Sequence, residues 1–253
     1  MTPNMAVEEI APWLRDARTV TALTGAGIST DSGIPDFRGP QGVWTKDPEA
    51  EKLSTLQHYM ADPDLRARAW QLRLEHPAWT ASPGPGHVAL AELERKGFLH
   101  HLITQNIDGL HQLAGSSDDI LIEIHGTLRE VMCMSCGERA DMQRALARVR
   151  AGEADPACKT CGGILKSATI SFGQELVAED VARTQRAAQT CDVFLAIGTS
   201  LQVYPVAYLP QIAVAAGAKL LIVNEQPTPF DAQAAAVFNA PIAEILPPLA
   251  AAL

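Results

Sequence analysis

Cys133 and Cys136 form one Cys-x-x-Cys pair and Cys158 and Cys161 a second, with residues 137–157 between them and no histidine from 133 to 161. Two thiolates on one tight turn can point at one ion, and two such turns complete a tetrahedral set around zinc. Gly137 and Gly162 directly follow the second cysteine of each pair, where freedom to take positive φ lets backbone N–H groups turn toward the sulfurs. Four sulfurs leave no position for water, so the expected metal is structural and not catalytic. Two disulfides or redox-active dithiols are the competing readings. Disulfides need an oxidising compartment, and residues 1–20 carry charges without a long apolar run, so no secretory signal is expected. The doubled motif and its glycines favour zinc. Cys191, in Thr-Cys-Asp-Val-Phe-Leu, reads as a small buried hydrophobe.

A second chemistry is suggested at Gly25-Ala26-Gly27-Ile28-Ser29. A glycine-rich turn after a strand brings backbone N–H groups against a pyrophosphate, helped by a following helix N-terminus. The third glycine of the dinucleotide fingerprint is missing at its spacing, so a tight turn without a ligand is the alternative. The segment runs on through Ser29 to Gly39 as a polar loop carrying an acid, an aromatic and a cation, Asp36-Phe37-Arg38. A loop of that composition has little reason to be buried structure.

These residues need a scaffold, and the chain is long enough to supply one. It has 253 residues, 47% of them hydrophobic, which suits one large domain or one domain carrying an insert. The balance of 20 Lys plus Arg against 29 Asp plus Glu gives a formal charge of −9; that argues against direct binding of nucleic acid and suits lysine-bearing protein substrates. No stretch approaches the length of an apolar membrane span. Short continuous apolar runs at Thr19–Thr24, Leu99–Thr104, Ile120–Ile124, Val193–Ile197 and Lys219–Val223 alternate with helical patterns such as Val88–Arg95. Such runs are parallel strands buried on both faces, and the expected fold class is α/β, an open Rossmann-like doubly wound sheet. Each run ends in polar residues: Gly25-Ala26-Gly27, Gln105-Asn106, His125-Gly126, Gly198-Thr199-Ser200 and Asn224-Glu225. Carboxyl ends of parallel strands are where such folds bind ligands. Residues 39–84, polar and helical with Trp44, Trp70 and Trp79, and residues 127–165, which hold the cysteines, break the strand–helix rhythm. They are expected to form a smaller domain from a helical module and a zinc-ribbon module, leaving 1–38, 85–126 and 166–253 as the Rossmann-like nucleotide-binding domain and a cleft at the junction.

The series Gly25–Ser29, Gly33-Ile34-Pro35-Asp36-Phe37-Arg38, Thr104-Gln105-Asn106-Ile107-Asp108-Gly109-Leu110-His111, His125-Gly126, the two cysteine pairs, Phe172-Gly173, Gly198-Thr199-Ser200 and Asn224 resembles the sirtuins, NAD-dependent protein lysine deacylases, over nearly the whole chain. The resemblance implies that the nicotinamide–ribose bond of NAD breaks as the acyl oxygen of a modified lysine attacks the ribose, and that a histidine then deprotonates a ribose hydroxyl so that the acyl group moves to ADP-ribose. His125 matches that histidine, and an imidazole pKa near ~6.5 suits a base at neutral pH. Asn106 and Asp108 match the pair that orients the nicotinamide ribose and grips the carboxamide, an amide able to donate and accept and a carboxylate that accepts. Gln105 would contact the ribose, Asp36 and Arg38 would hold and screen the cofactor, and Phe37 would cover the reacting face. Gly25, Ala26, Gly27, Ser29, Gly198, Thr199 and Ser200 would line the phosphate and ribose positions, Asn224 the adenosine ribose, and the backbone near Ile242 the adenine. His111 is expected to be structural. The acyl-peptide would add a strand between the loops Ile170–Gln174 and Gln202–Pro205, with Ile170, Phe172, Gly173 and Val203 against it.

Two departures bear on substrate. Many relatives carry an acid after Phe-Gly, whereas Gln174 stands here, which alters one contact to the peptide. The Tyr-x-x-Arg pair of the branch that removes succinyl and malonyl groups is absent from Ala69–His76, although Arg73 lies in that stretch; uncharged acyl groups, acetyl or longer aliphatic, are therefore expected. Mono-ADP-ribosyl transfer from the same NAD site and a non-enzymatic NAD-responsive role are the alternatives. A cytoplasmic monomer without membrane or nucleic-acid partners completes the expectation.

Overall fold

The computed structural model describes residues 7–36, 42 and 50–253; Phe37 and Arg38 lie outside the described residues. Six strands form one parallel sheet: β1 (Val20–Thr24), β2 (His101–Thr104), β3 (Leu121–Glu123), β7 (Val193–Ile197), β8 (Lys219–Val223) and β9 (Ala236–Phe238), in the order β3-β2-β1-β7-β8-β9. A separate antiparallel sheet, ordered β5-β4-β6, is built from β4 (Gly126–Cys133), β5 (Arg139–Asp141) and β6 (Leu165–Thr169). The helices are α1 (Val7–Asp16), α2 (Ala50–Leu53), α3 (Leu56–Ala61), α4 (Pro63–Leu74), α5 (Pro85–Arg95), α6 (Leu110–Ala114), α7 (Met142–Arg150), α8 (Ala178–Thr190), α9 (Leu209–Ala215) and α10 (Ile242–Ala251).

Side chains alternate across a strand, and β7 divides its burial accordingly. Val193, Leu195 and Ile197 pack with α1, α5 and α10 through Ile10, Leu90 and Leu246, while Phe194 and Ala196 pack with α8 and α9 through Ala188 and Leu209. Two apolar layers on one parallel sheet are the doubly wound architecture expected from the sequence. The order places β1 between β2 and β7, and the chain leaves β2 and β7 in opposite directions across the sheet. That is the strand-order reversal at which such folds open a crevice.

The two excursions meet in a third core. Trp70 of α4, fully buried, packs with Val131, Met142, Leu146, Val149 and Leu165 from around the cysteine module. Arg66 of the same helix bonds Asp155 through Nε at 2.7 Å and donates from Nη1 to the Tyr59 and Met60 carbonyls. The Tyr59 hydroxyl donates to Leu165 O at 2.8 Å. Helix and ribbon are thus joined by one aromatic plug and two polar ties.

Candidate active site

The strand ends converge on one cleft of about 1340 Å³. All described residues expected at the cofactor or peptide line it: Gly25, Ala26, Gly27, Ser29, Asp36, Gln105, Asn106, Asp108, Gly198, Thr199, Ser200, Asn224 and Ile242, together with His125 and with Ile170, Phe172, Gly173 and Val203. The cysteines stand apart from it.

The glycines act differently from the expected pyrophosphate cradle. Gly25 and Gly27 spend their N–H groups on Ile197 O (3.1 Å) and Gly198 O (2.8 Å). A Cβ on Gly25 would stand 2.8 Å from Gly198 O and from the Thr199 Cβ, and one on Gly27 2.8 Å from the Gly198 Cα. Only hydrogen fits between these two turns. Gly198, at φ 58°, also sits against Ile242 at the start of α10. The glycines therefore let the turns after β1 and β7 touch, which fixes the floor of the crevice.

Hydrogen-bond bookkeeping then determines what the floor offers a ligand. Asn106 Nδ2 donates to Gly25 O (3.1 Å) and Ser29 Oγ (3.0 Å). A carbonyl can only accept, so the amide nitrogen faces it and Asn106 turns only its Oδ1 outward. Gln105 Nε2 donates to Thr199 Oγ1 (2.9 Å) and Thr24 O (3.4 Å), which again leaves an oxygen for the ligand. Thr199 Oγ1 also accepts from Leu201 N at 3.3 Å, so its own O–H is the group it can give. His125 Nδ1 is 3.1 Å from Gln105 O, so its proton is on Nδ1 and the lone pair of the neutral ring is on Nε2. Burial holds the His125 pKa below its usual 6.5, against the upward pull of that carbonyl, and keeps the ring unprotonated at neutral pH. Asp108, buried, accepts from Ser29 Oγ (2.8 Å) and from Leu110 N (2.9 Å).

The walls are fixed from both sides. Gly126 takes φ 71°, and a Cβ there would lie 2.1 Å from Ala168 O; the contact seats His125 beside β6, where Ile170 N donates to His125 O at 2.7 Å. Phe172 pairs through its backbone with the helical module: its N–H donates to Ser54 O (2.8 Å) and its carbonyl accepts from Leu56 N (2.9 Å). Val203 O accepts from Ala207 N (2.9 Å), and Asn224 is held by Phe238 O, Gln226 O and Asn239. Gln174 Oε1 turns back to accept from Ser171 N at 3.3 Å, and the next carboxylate, Glu175, lines the cleft.

Sequence reasoning raised Arg73 as a cation of the helical stretch and gave no role to Arg129 or Lys166. Arg129 donates from Nε and Nη2 to Asp108 O (3.1 and 2.8 Å) while lying over the Trp79 ring at 5.3 Å. Arg73 lines the cleft with its guanidinium 5.0 and 5.2 Å from the Trp70 and Tyr59 ring centroids, and its Nη1 is buried without a hydrogen-bond partner among the described residues. Lys166 is buried behind it, donating to Ser167 O and Thr169 O, with a pKa pushed down to about 7 by burial and then by Arg73. His111 is buried as expected, its Nε2 2.9 Å from Thr24 Oγ1.

The four cysteine sulfurs lie within 4.8 Å of one another. Cys133 and Cys161 are 3.5 Å apart and Cys136 and Cys158 3.8 Å, where zinc–sulfur bonds of about 2.3 Å in a tetrahedron require about 3.8 Å. A disulfide would bring sulfurs to about 2.05 Å, and all five cysteines are free. Gly137 and Gly162 take φ 74° and 72°, and Ser135 N and Cys136 N approach Cys133 Sγ at 3.4 and 3.5 Å. The Cys136 N–H, more than that of Ser135, holds the Cys133 thiol down to about 6. The donor set and its spacing fit a structural Zn²⁺.

Fold and site together define a nucleotide-binding enzyme of the doubly wound class with a zinc-stapled small domain. Residues 25–205 match the Sir2 family model. The chain is 50% identical over 230 residues to NAD-dependent protein deacetylase 2 of Streptomyces coelicolor, covering 91% of this chain and 95% of that one. It is 42% identical over 246 residues to NAD-dependent protein deacetylase 1 of Pyrobaculum aerophilum, covering 96% and 93%. Among solved structures, a Sir2 complex with deacetylated p53 peptide and 3′-O-acetyl ADP ribose superposes with TM-score 0.88 at 35% identity over 96% of each chain. Sir2 bound to acetylated peptide does so with TM-score 0.85 at 33% identity, again over 96% of each. This chain belongs to the Sir2 family.

Proposed function

We infer that the protein is an NAD-dependent protein lysine deacetylase that transfers the acyl group to ADP-ribose and releases nicotinamide. The observation that carries the reading is the polarity of the cleft floor. Gln105 Oε1, Asn106 Oδ1 and His125 Nε2 are acceptors left over when the protein's own hydrogen bonds are counted. Three acceptors suit a ligand that brings hydroxyl donors, such as the ribose of NAD.

NAD, as co-substrate, supplies an activated nicotinamide–ribose bond. The buried Asp108 carboxylate accepts from the carboxamide N–H, Asn106 holds the ribose through Oδ1, and the Thr199 O–H donates to a phosphate or ribose oxygen. His125 takes a ribose hydroxyl proton at Nε2, and its Nδ1–H stays on the Gln105 carbonyl, so the resulting imidazolium has a partner for both nitrogens. The acyl-lysine enters between 170–174 and 202–205, with Phe172 lining its channel and the Ile170 carbonyl receiving the substrate Nε–H. We propose 39–84 with 127–165 as the smaller domain, and a cytoplasmic monomer as the working form. No helix among the described residues is long and apolar enough to cross a membrane.

Acetyl or longer uncharged acyl groups are the proposed substrates. One observation favours a second acyl class: Arg73 Nη1, which has no hydrogen-bond partner among the described residues of the cleft, would be satisfied by an acyl group ending in a carboxylate. The test is a side-by-side turnover of acetyl-lysine and succinyl-lysine peptides with NAD. Faster acetyl turnover supports the primary reading; faster succinyl turnover, lost in Arg73→Met, replaces it.

A further inference from the structure

Lys166, the second residue of β6, is 1% exposed, and the charged group that bears on it is another cation, Arg73. A buried lysine in such company needs acceptors, and it finds them on its own strand. The bond from Met134 N to Ile164 O and the bond from Ile170 N to His125 O turn residues 164 and 170 toward β4. Backbone groups alternate between the two edges of a strand. The carbonyls of Leu165, Ser167 and Thr169 therefore face the opposite edge, where no strand among the described residues pairs with β6. Ser167 is buried, so its carbonyl cannot be left to water. The Tyr59 hydroxyl of α3 donates to Leu165 O at 2.8 Å, and Lys166 Nζ donates to Ser167 O at 3.1 Å and to Thr169 O beyond it.

Two carbonyls call for two N–H groups. Burial and then Arg73 hold the Lys166 pKa down to about 7, and the neutral amine that prevails above it has two hydrogens, one for each carbonyl. The bond to Thr169 bears on the site. Thr169 C=O and Ile170 N–H belong to one planar peptide unit. Its oxygen is held by Lys166 on the outer edge, and its N–H donates to His125 O at 2.7 Å on the inner edge. A rotation of that unit would move the His125 backbone. The next residue, Gly126, already meets Ala168 O too closely for a side chain, so His125 cannot shift independently of β6.

We propose that Lys166 is a positioning residue for His125: by holding the Thr169 carbonyl from the outer edge of β6, it fixes the peptide plane on which the histidine backbone is seated. The proposal rests on the deacetylase reading above, in which His125 is the base.

Lys166→Gln keeps a donor with two hydrogens, one bond shorter and without charge. Lys166→Met has a side chain of the same reach as glutamine and no donor. Each is compared with the wild type for kcat and KM with acetyl-lysine peptide and NAD, for exchange of labelled nicotinamide into NAD, for thermal midpoint, and for the titration midpoint of the His125 ring followed by nuclear magnetic resonance. Nicotinamide leaves before the step that needs the base, so a displaced histidine should spare the exchange. The expected result is that Lys166→Met lowers kcat about tenfold, the scale of one lost hydrogen bond, with exchange and KM for NAD near wild-type values. Its His125 titration should move up toward 6.5 as the ring loses burial. Lys166→Gln should restore both kcat and titration, whatever its thermal midpoint. Lys166→Met with wild-type kcat and titration, Lys166→Gln impaired as much as Lys166→Met, or equal losses of kcat and exchange would each overturn the proposal. A wild-type protein that binds NAD without turnover would instead sink the functional reading, and the His125 titration would still decide whether Lys166 positions the ring.

Discussion

In the proposed mechanism His125 has to be a free base with a directed lone pair, and its surroundings supply both conditions. The Gln105 carbonyl fixes the tautomer and burial keeps the pKa below 6.5. The acidic limb of kcat/KM against pH should therefore fall at a midpoint below 6.5, measured with peptide and NAD under trapping conditions; a midpoint above 7 would contradict the assignment. Glu123, two residues earlier, behaves oppositely: burial pushes its carboxyl up to about 7, and its Oε1 has no hydrogen-bond partner among the described residues. A group whose native pKa is raised stabilises the fold below its unfolded value, near ~4.3, and loses that contribution as pH rises through its native value, at most about 1.4 kcal/mol per pH unit. Glu123→Gln should thus flatten the fall in thermal midpoint between the unfolded value and about pH 7, and an unchanged slope there would show that Glu123 ionises freely. Strand-end position made Asn106 and His125 legible as candidates in the sequence, and the resemblance to the sirtuins added Asp108 and the roles of all three. The Ser29 and Arg129 contacts to Asp108 were not legible, because they join residues 79 and 21 positions apart with no motif spacing to reveal them.

Among the elements, the long apolar strands were readable because a strand buried on both faces needs an unbroken run of hydrophobes. β9 was missed: three residues, Ala-Val-Phe, carry too weak a propensity to be distinguished from a loop, and its place comes from pairing to β8. The tie between Phe172 and Ser54/Leu56 was also invisible, since main-chain pairing leaves no mark on residue type. β4 and β6 meet at Gly126, whose φ of 71° and contact with Ala168 O exclude any side chain. Gly126→Ala should lower stability by about 1–3 kcal/mol through backbone strain and displace His125, with denaturant unfolding and turnover as the readouts; wild-type values for both would refute the fit. In the cysteine module, Cys158→Ser removes one of four sulfurs 3.5–3.8 Å from their neighbours. Metal content should fall from one zinc toward zero and the thermal midpoint with it; full zinc with an unchanged midpoint would exclude the staple.

For the molecule as a whole, the ends of the doubly wound sheet line one part of the cleft and Leu53, Ser54, Leu72, Arg73 and His76 of the helical module another, where Phe172 of the proposed acyl-lysine loop is tied to Ser54 and Leu56. The modules are held to each other by Trp70 and by Arg66–Asp155, so zinc removal should loosen the peptide wall before it loosens the sheet. Chelator treatment is expected to raise KM for peptide while binding of NAD, followed by titration calorimetry, changes little. Loss of both together would show a single cooperative unit. The central claim is that the acceptor-lined floor and His125 move an acyl group from lysine to ADP-ribose. Its most direct test is mass-spectrometric product analysis of the purified protein with NAD and an acetyl-lysine peptide, beside His125→Ala. The account predicts nicotinamide, O-acetyl-ADP-ribose and free lysine in equal amounts, absent from the variant, which should still bind NAD and zinc. Nicotinamide release with an unchanged peptide, or ADP-ribose attached to protein, would contradict it.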